Sequence, residues 1–380
     1  MRSKLFLVFL LFVFTFSSLT GCWDRRELEE RISVIAISID QAEPTEEGEA
    51  MVLVSLQIPI PIKISGGAEG GGAGGMDAVR VISSTGFTVA DAFSNLQKRL
   101  NQQLFLGHTR VISVSEDLAR EGLEEILDGF RRDPALRRLL WFVIVEGKAR
   151  DMLYSDAKLE QIPMVYIMSL IENGAREQRI PDITLGQFYI SESNNAMEPI
   201  ANYVRAGEED ISWDGTALFN GTKMVGRLNP MESWYMMQLR GEGPGGDRVI
   251  HTGDEEHMVI RPKQLSTKKK VSFPKGEVHI HYDISIEANL IEKNFKLDMN
   301  RSEELQSLAK IVEKEFEKEA QEVIEILQQE YKTDALRIGR YIKAYHYKEW
   351  QAMNWGEEFP KSNITVSYDV AFRRTGMQLN

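Results

Sequence analysis

Residues 301–331 read RSEELQSLAKIVEKEFEKEAQEVIEILQQEY. Leu305, Leu308, Val312, Phe316, Ala320, Val323, Leu327 and Tyr331 recur at steps of three and four, which lays them along one face of an α-helix. Asn300 and Glu303 offer a capping box at its start. Glu and Lys alternate through 313–325 on what should be the solvent side. So long an apolar stripe needs a surface to cover, most simply a sheet made by the strands before it.

Those strands are expected in 257–291, where alternation gives two or three antiparallel strands separated by 268–270 (Lys-Lys-Lys) and 274–276 (Pro-Lys-Gly). After the stripe, 334–346 reads as a second helix. Ile364, Val366, Tyr368, Val370 and Phe372 then form a closing strand. Upstream, 216–228 (TALFNGTKMVGRL) is a hairpin turning at Asn220-Gly221, a pair suited to the positive φ angles of a primed turn. Residues 229–240 follow as a helix.

The first half alternates strand and helix. Residues 31–40 and 51–58 are β-branched and alternating, the second running into Pro59 and Pro61 as an edge or an exit. The tract 66–75 (GGAEGGGAGG) has too little side chain to pack, and strand character resumes at 78–83, so the tract would be a long hairpin tip. Val89, Ala92, Phe93, Leu96 and Leu100 make a helix capped by Thr88. A strand at 108–114, a helix at 115–132 and a strand buried on both faces at 139–145 (LLWFVIV) follow. Shorter helices fit 149–155 and 163–173. The fold expected is therefore α+β and multi-domain, with mixed or antiparallel sheets each covered by helices and the long amphipathic helix in the C-terminal domain. Residues 1–21 read as a signal peptide, 22–191 as an N-terminal domain, 192–210 as a polar connector and 211–380 as a C-terminal domain. A further division near 255 would separate a small middle domain from a strand–helix–strand domain.

The signal is compact. Arg2 and Lys4 precede the apolar run 5–16, which is too short to cross a bilayer, and the chain's single cysteine, Cys22, follows Leu19-Thr20-Gly21. A thiol in that place is where a diacylglyceryl group is attached, and two or more acyl chains give stable anchoring. With one cysteine there is no internal disulfide. The charge of -12 argues against non-specific nucleic-acid binding, and 43% apolar residues is far too many for disorder. After the signal, no stretch reaches 18 apolar residues.

Chemistry-bearing motifs are sparse. Gly70, Gly72, Gly75 and Gly241, Gly243, Gly246 match G-x-G-x-x-G formally, but neither stands between a buried strand and a helix, as a dinucleotide site requires. His279 and His281 share a strand face, yet a zinc site wants a third protein ligand and usually a fourth. There is no G-x-S-x-G elbow, no H-E-x-x-H and no Walker loop. No catalytic residue, metal site or cofactor is expected. Of the basic clusters, Arg25-Arg26 lies beside Cys22 and is followed by Glu27, Glu29 and Glu30, while 268–270 reads as a solvated loop.

The run 19–30, LTGCWDRRELEE, resembles the start of mature lipoproteins of the Ger(x)C family, the C subunits of nutrient germinant receptors in endospore-forming bacteria. The matching positions are Cys22, Trp23, Asp24, Arg25, Arg26 and Glu27. Further blocks agree in order: Gly107-His108, Asp133-Pro134 with Arg132 and Arg137, the hairpin beginning Gly215-Thr216, and Gly339 with Trp350 and Trp355. The resemblance implies a three-domain α+β protein with no known enzymatic activity, lipidated at Cys22. It also implies a place on the outer face of the spore inner membrane, assembled with integral membrane subunits of the A and B types. The alternative is a solute-binding lipoprotein serving a transporter, which would have two similar α/β lobes around a deep cleft. A cell-envelope hydrolase ranks last, for want of a nucleophile.

Overall fold

A computed structural model describes residues 31–60, 78–155, 160, 162–207, 210–297 and 301–373. The signal, Cys22 to Glu27, Asn300 and the glycine tract all lie outside these. The first-half strands are β1 (Arg31–Ser33), β2 (Ala36–Ala42), β3 (Met51–Pro59), β4 (Val79–Gly86), β5 (Gln103–Phe105), β6 (Val111–Ser115), β7 (Trp141–Val145), β8 (Ile200–Ala206), β9 (Ile211–Asn220) and β10 (Lys223–Leu228). Eight of them form one sheet in the order β10-β9-β8-β7-β6-β2-β3-β4, and β1 pairs with β5 alone.

The centre of the large sheet, β2, β6, β7 and β8, is parallel, and an antiparallel pair closes each side. Parallel strands are buried on both faces, and β7 shows why its sequence is continuously apolar. Phe142 and Ile144 enter a core with the helices Val89–Gln97, Glu124–Arg131 and Leu185–Glu192. Val143 and Val145 enter the opposite core with Met152 and the helix Pro163–Arg176. β3 and β4 pair from Val52↔Gly86 to Pro59↔Val79, as the return after the glycine tract requires. Pro59 stands at the end of β3, where a missing N–H costs the ladder least.

Several expected boundaries move. Residues 31–40 are two strands, broken where Val34 N–H reaches Phe105 and Ile35 N–H reaches Gln57. The expected helix 115–132 is two, Glu116–Glu121 and Glu124–Arg131, parted at Gly122 with φ +133°. The expected strand 108–114 starts only at Val111, because Leu106–His108 form a helical turn. The segment 192–210 is no mere connector: it holds β8, a central strand.

The second sheet is β11 (Arg248–His251), β12 (His257–Ser272), β13 (His279–Lys293) and β14 (Asn363–Phe372), in that order. β12 runs unbroken through Lys268-Lys269-Lys270, so the only turn of that hairpin is at Pro274–Gly276. β14 lies parallel to β13, which demands a crossover, and the helix Ser302–Glu325 supplies it. Its stripe covers the sheet as expected: Leu308, Val312, Phe316, Ala320, Val323 and Leu327 are buried against Ile280, Tyr282, Ile284, Ile286 and Tyr368. Phe316 meets Tyr235 and Tyr368 edge-on at 5.7 and 5.5 Å. Arg301, not Asn300, occupies the cap position of this helix. Two of its carboxylates are not simply solvated: Glu317 and Glu313 accept the N–H groups of Tyr368 (3.0 Å) and Val370 (3.1 Å) along the outer edge of β14. A sheet edge left open invites pairing with another chain, and these acceptors close it.

Candidate functional site: a buried carboxylate where the two sheets meet

The two sheets are joined by the return after the long helix. A π turn, Ile326–Glu330, ends that helix, and Thr333 Oγ1 then donates to the carbonyl of Phe219 in β9 (2.6 Å). Asp334 follows, fully buried, and its carboxylate accepts the N–H groups of Ile338 (3.0 Å) and Gly339 (2.7 Å) and Nε1–H of Trp355 (2.9 Å). Helix Ile338–Tyr345 therefore begins four residues later than its apolar pattern suggests, because Asp334 serves its first amides from the preceding turn. Gly339 is fixed by crowding: a Cβ there would lie 2.5 Å from Trp355 Nε1 and 2.9 Å from the Ala196 carbonyl oxygen. The Gly339–Trp355 spacing thus lets an indole cross a helix start and reach a carboxylate.

Three cations gather here. Burial pushes the Asp334 carboxyl up, while its three hydrogen bonds and the nearby Lys269 oppose that shift. Lys269 is pulled down to about 8 by its own burial, donates to the Leu336 carbonyl at 3.3 Å and lies over the Tyr282 ring at 5.3 Å. Arg240, its side chain 2% exposed, donates to the Ala335 carbonyl and, like Arg337, to Glu242. Burial, then Arg240, pulls Arg337 down to about 10. The carboxylate is spent on holding backbone and indole. Chemically the cluster is a clasp between the C-terminal return and the large sheet.

Lys269 makes the clasp testable. Between its folded value of about 8 and its ordinary 10.5, the unfolded chain holds a proton that the folded chain does not. Stability should therefore rise with pH across that window, by up to about 3 kcal/mol. Urea midpoints at pH 8 to 10 should climb in the native chain and stay flatter in Lys269→Met; parallel slopes would contradict the assignment.

The other motif positions fall in two places. Gly215 and Thr216 lie in β9 at a bulge, where the β8 partners shift from Tyr203↔Gly215 to Val204↔Trp213. The hairpin turns one residue later than expected: Asn220 still pairs with Lys223, so Gly221 and Thr222 form the loop, with Gly221 at φ +59° and Asn220 not in the left-handed region. Gly221 N–H reaches the Glu198 carboxylate at 2.8 Å. Gly107, His108, Asp133 and Pro134 sit at the end of the large sheet where β2, β6 and β7 begin. There His108 Nδ1 is 3.1 Å from Ser33 Oγ, Phe105 packs edge-on against His108, and Arg31 lies over Phe105. Asp133 Oδ1 accepts the Ala135 N–H at 2.8 Å, forming the turn before Leu136.

His279 and His281 line one small pocket together with Asn363 and Thr365. His281 contacts Thr365 and Ser367, His279 contacts Glu277, and no group of three or more metal-ligating side chains occurs among the described residues. Gly241 is the left-handed stop of helix Pro230–Arg240, while Gly245 and Gly246 pack on Trp234, so the second glycine motif is structural. One feature carried no sequence signal: a cavity of about 640 Å³ lined by Tyr166, Arg179, Ile180, Trp213 and Trp234. Both indole N–H groups bond inward, to Asn202 Oδ1 and the Arg179 carbonyl.

Among the described residues no helix is long and apolar enough to cross a membrane. Residues 24–206 match the model of a spore germination protein N-terminal domain, and 214–376 match that of a spore germination B3/GerAC-like C-terminal region. Spore germination protein YndF of Bacillus subtilis (strain 168) is 28% identical over 94% of this chain and 93% of its own length. Spore germination protein KC of the same organism is 25% identical over 95% and 94%. The crystal structure of the GerBC protein superposes with a TM-score of 0.59 at 19% identity, covering 91% of this chain and 99% of that one.

Proposed function

This chain belongs to the Ger(x)C family of spore germination proteins, and from that premise we propose that it is the lipid-anchored, non-catalytic subunit of a nutrient germinant receptor. The observation that carries the reading is the pair of family matches, which run in order over nearly everything after Cys22. Cys22 would carry the acyl chains and become the mature N-terminus, holding the body on the outer face of the spore inner membrane. Such confinement raises its effective concentration for integral partners of the A and B types, so modest contact surfaces suffice for assembly. The buried polar cluster supports a part played by shape, since Asp334 is spent on backbone and indole N–H groups, Lys269 on a backbone carbonyl, and Arg240 and Arg337 on Glu242. The solute-binding alternative expected two similar lobes, whereas the two sheets here differ in size, order and connection.

The test is Cys22→Ala. Spores bearing it should take up no labelled palmitate into this chain and should fail to germinate with the receptor's nutrient. Normal labelling and normal germination together would overturn both the anchor and its role.

A further inference from the structure

We propose that the loop at 131–140 is a bilayer-contacting element which sets the body's orientation on an anionic membrane surface; this rests on acyl anchoring at Cys22. Its sequence is RRDPALRRLL. Leu136 and Leu140 turn inward and are buried, while Leu139 between them is 83% exposed. The exposure is held in place by backbone: the carbonyls of Arg138 and Leu140 accept the N–H groups of Gly186 (2.8 Å) and Leu185 (3.0 Å), the first turn of helix Leu185–Glu192. Those amides would otherwise lack partners, so the loop is fastened at the very residues that flank Leu139.

Charge singles out the same surface. Arg131 and Arg132 are paired with Glu192 and Asp128, but Arg137 and Arg138 are exposed and take part in no ion pair among the described residues. Exposed Arg110 stands at the same end, its carbonyl accepting Trp141 N–H. The acidic neighbour, Asp133, is occupied by the Ala135 N–H. The full chain carries a formal net charge of -12, and its body is repelled by an anionic surface, so a local basic pole decides which side faces it.

Position completes the argument. β1 leads into β2 at this end of the sheet, and β7 leaves the loop there in register with it, Ala36 and Trp141 both opposing Val111. Eight residues lie between Cys22 and Arg31, nine Cα-to-Cα steps, a reach of at most about 30 Å even when fully extended. The tether therefore keeps this pole near the bilayer, and an aliphatic side chain flanked by guanidinium groups matches an interface of phosphates over acyl chains.

The experiment uses the acylated full-length mature chain with Leu139→Cys. Because acylated Cys22 is blocked, the new thiol is the only one available to an environment-sensitive fluorophore. In vesicles with one third phosphatidylglycerol, the label should shift to the blue and be quenched by nitroxides in the acyl region. In pure phosphatidylcholine, or with Arg137→Glu and Arg138→Glu, the quenching should fall at least severalfold. A label at Glu43→Cys, just past the other end of β2, should stay aqueous. A chain that floats with the vesicles yet keeps position 139 in water overturns the proposal and leaves a protein partner as the occupant. A chain that does not float overturns the anchoring reading, and this inference with it.

Discussion

Gly215→Ala is expected to cost about 3–5 kcal/mol, in the range of the largest single-residue losses. Two effects add. Gly215 has φ +117°, a conformation that a side chain strains. A Cβ there would also overlap the Leu228 carbonyl oxygen, a backbone atom with no rotamer to escape into. Leu228 ends β10, and Asn229 after it caps helix Pro230–Arg240 by accepting the amides of Met231 and Glu232. Any retreat of that carbonyl therefore pulls on the cap as well as on the β9–β10 ladder. Thr216→Val is the matched control: Thr216 is fully buried and its Oγ1 has no partner among the described residues, so an apolar replacement of similar shape should be near neutral. Urea unfolding of both variants checks this. Equal midpoints for Gly215→Ala and the native chain would refute the bulge argument.

Phe316→Ala should be comparably severe, also about 3–5 kcal/mol, through a different mechanism. The ring is fully buried and bridges three elements: its own helix, Tyr235 of helix Pro230–Arg240 and Tyr368 of β14. Its removal leaves a hole that those aromatic neighbours cannot collapse to fill, because each has another tie. Tyr235 Oη accepts a hydrogen bond from Arg248 and Tyr368 Oη donates to Gln238 Oε1. A melting temperature lower by about 10 °C is expected for a unit of this size. Ile311→Ala, on the same helix but 38% exposed, should change it little. If the two variants melt alike, the stripe is not what secures the second sheet.

What the sequence made legible was whatever depends on period. The stripe at 301–331 and the doubly buried run of β7 each express one geometric rule repeated over several residues, whereas the Asn-Gly pair located its hairpin but not the loop, which is Gly221-Thr222. What it concealed was whatever depends on a single polar side chain finding a distant partner. β8 was hidden because Asn202, in its middle, reads as a loop residue. In the fold it is fully buried, its amide donating to the Pro181 carbonyl and its oxygen accepting from Trp213 Nε1. Leu139 read as strand for the opposite reason: its apolar character gives no sign that the backbone is held with the side chain outward. Asp334 likewise looked like part of a helix, since nothing local reveals that an indole twenty-one residues on will share its carboxylate.

The two regions matched by the family end and begin at 206 and 214, so the seam runs from the end of β8 into β9, its neighbour in one ladder. Neither region is thus a module that recombination could trade freely between paralogues. A crossover at the seam would have to bring matching hydrogen-bond registers, the bulge at Gly215 included, or leave an unsated strand in the middle of a sheet. Such a pairing makes the two matched regions depend on each other to complete one sheet.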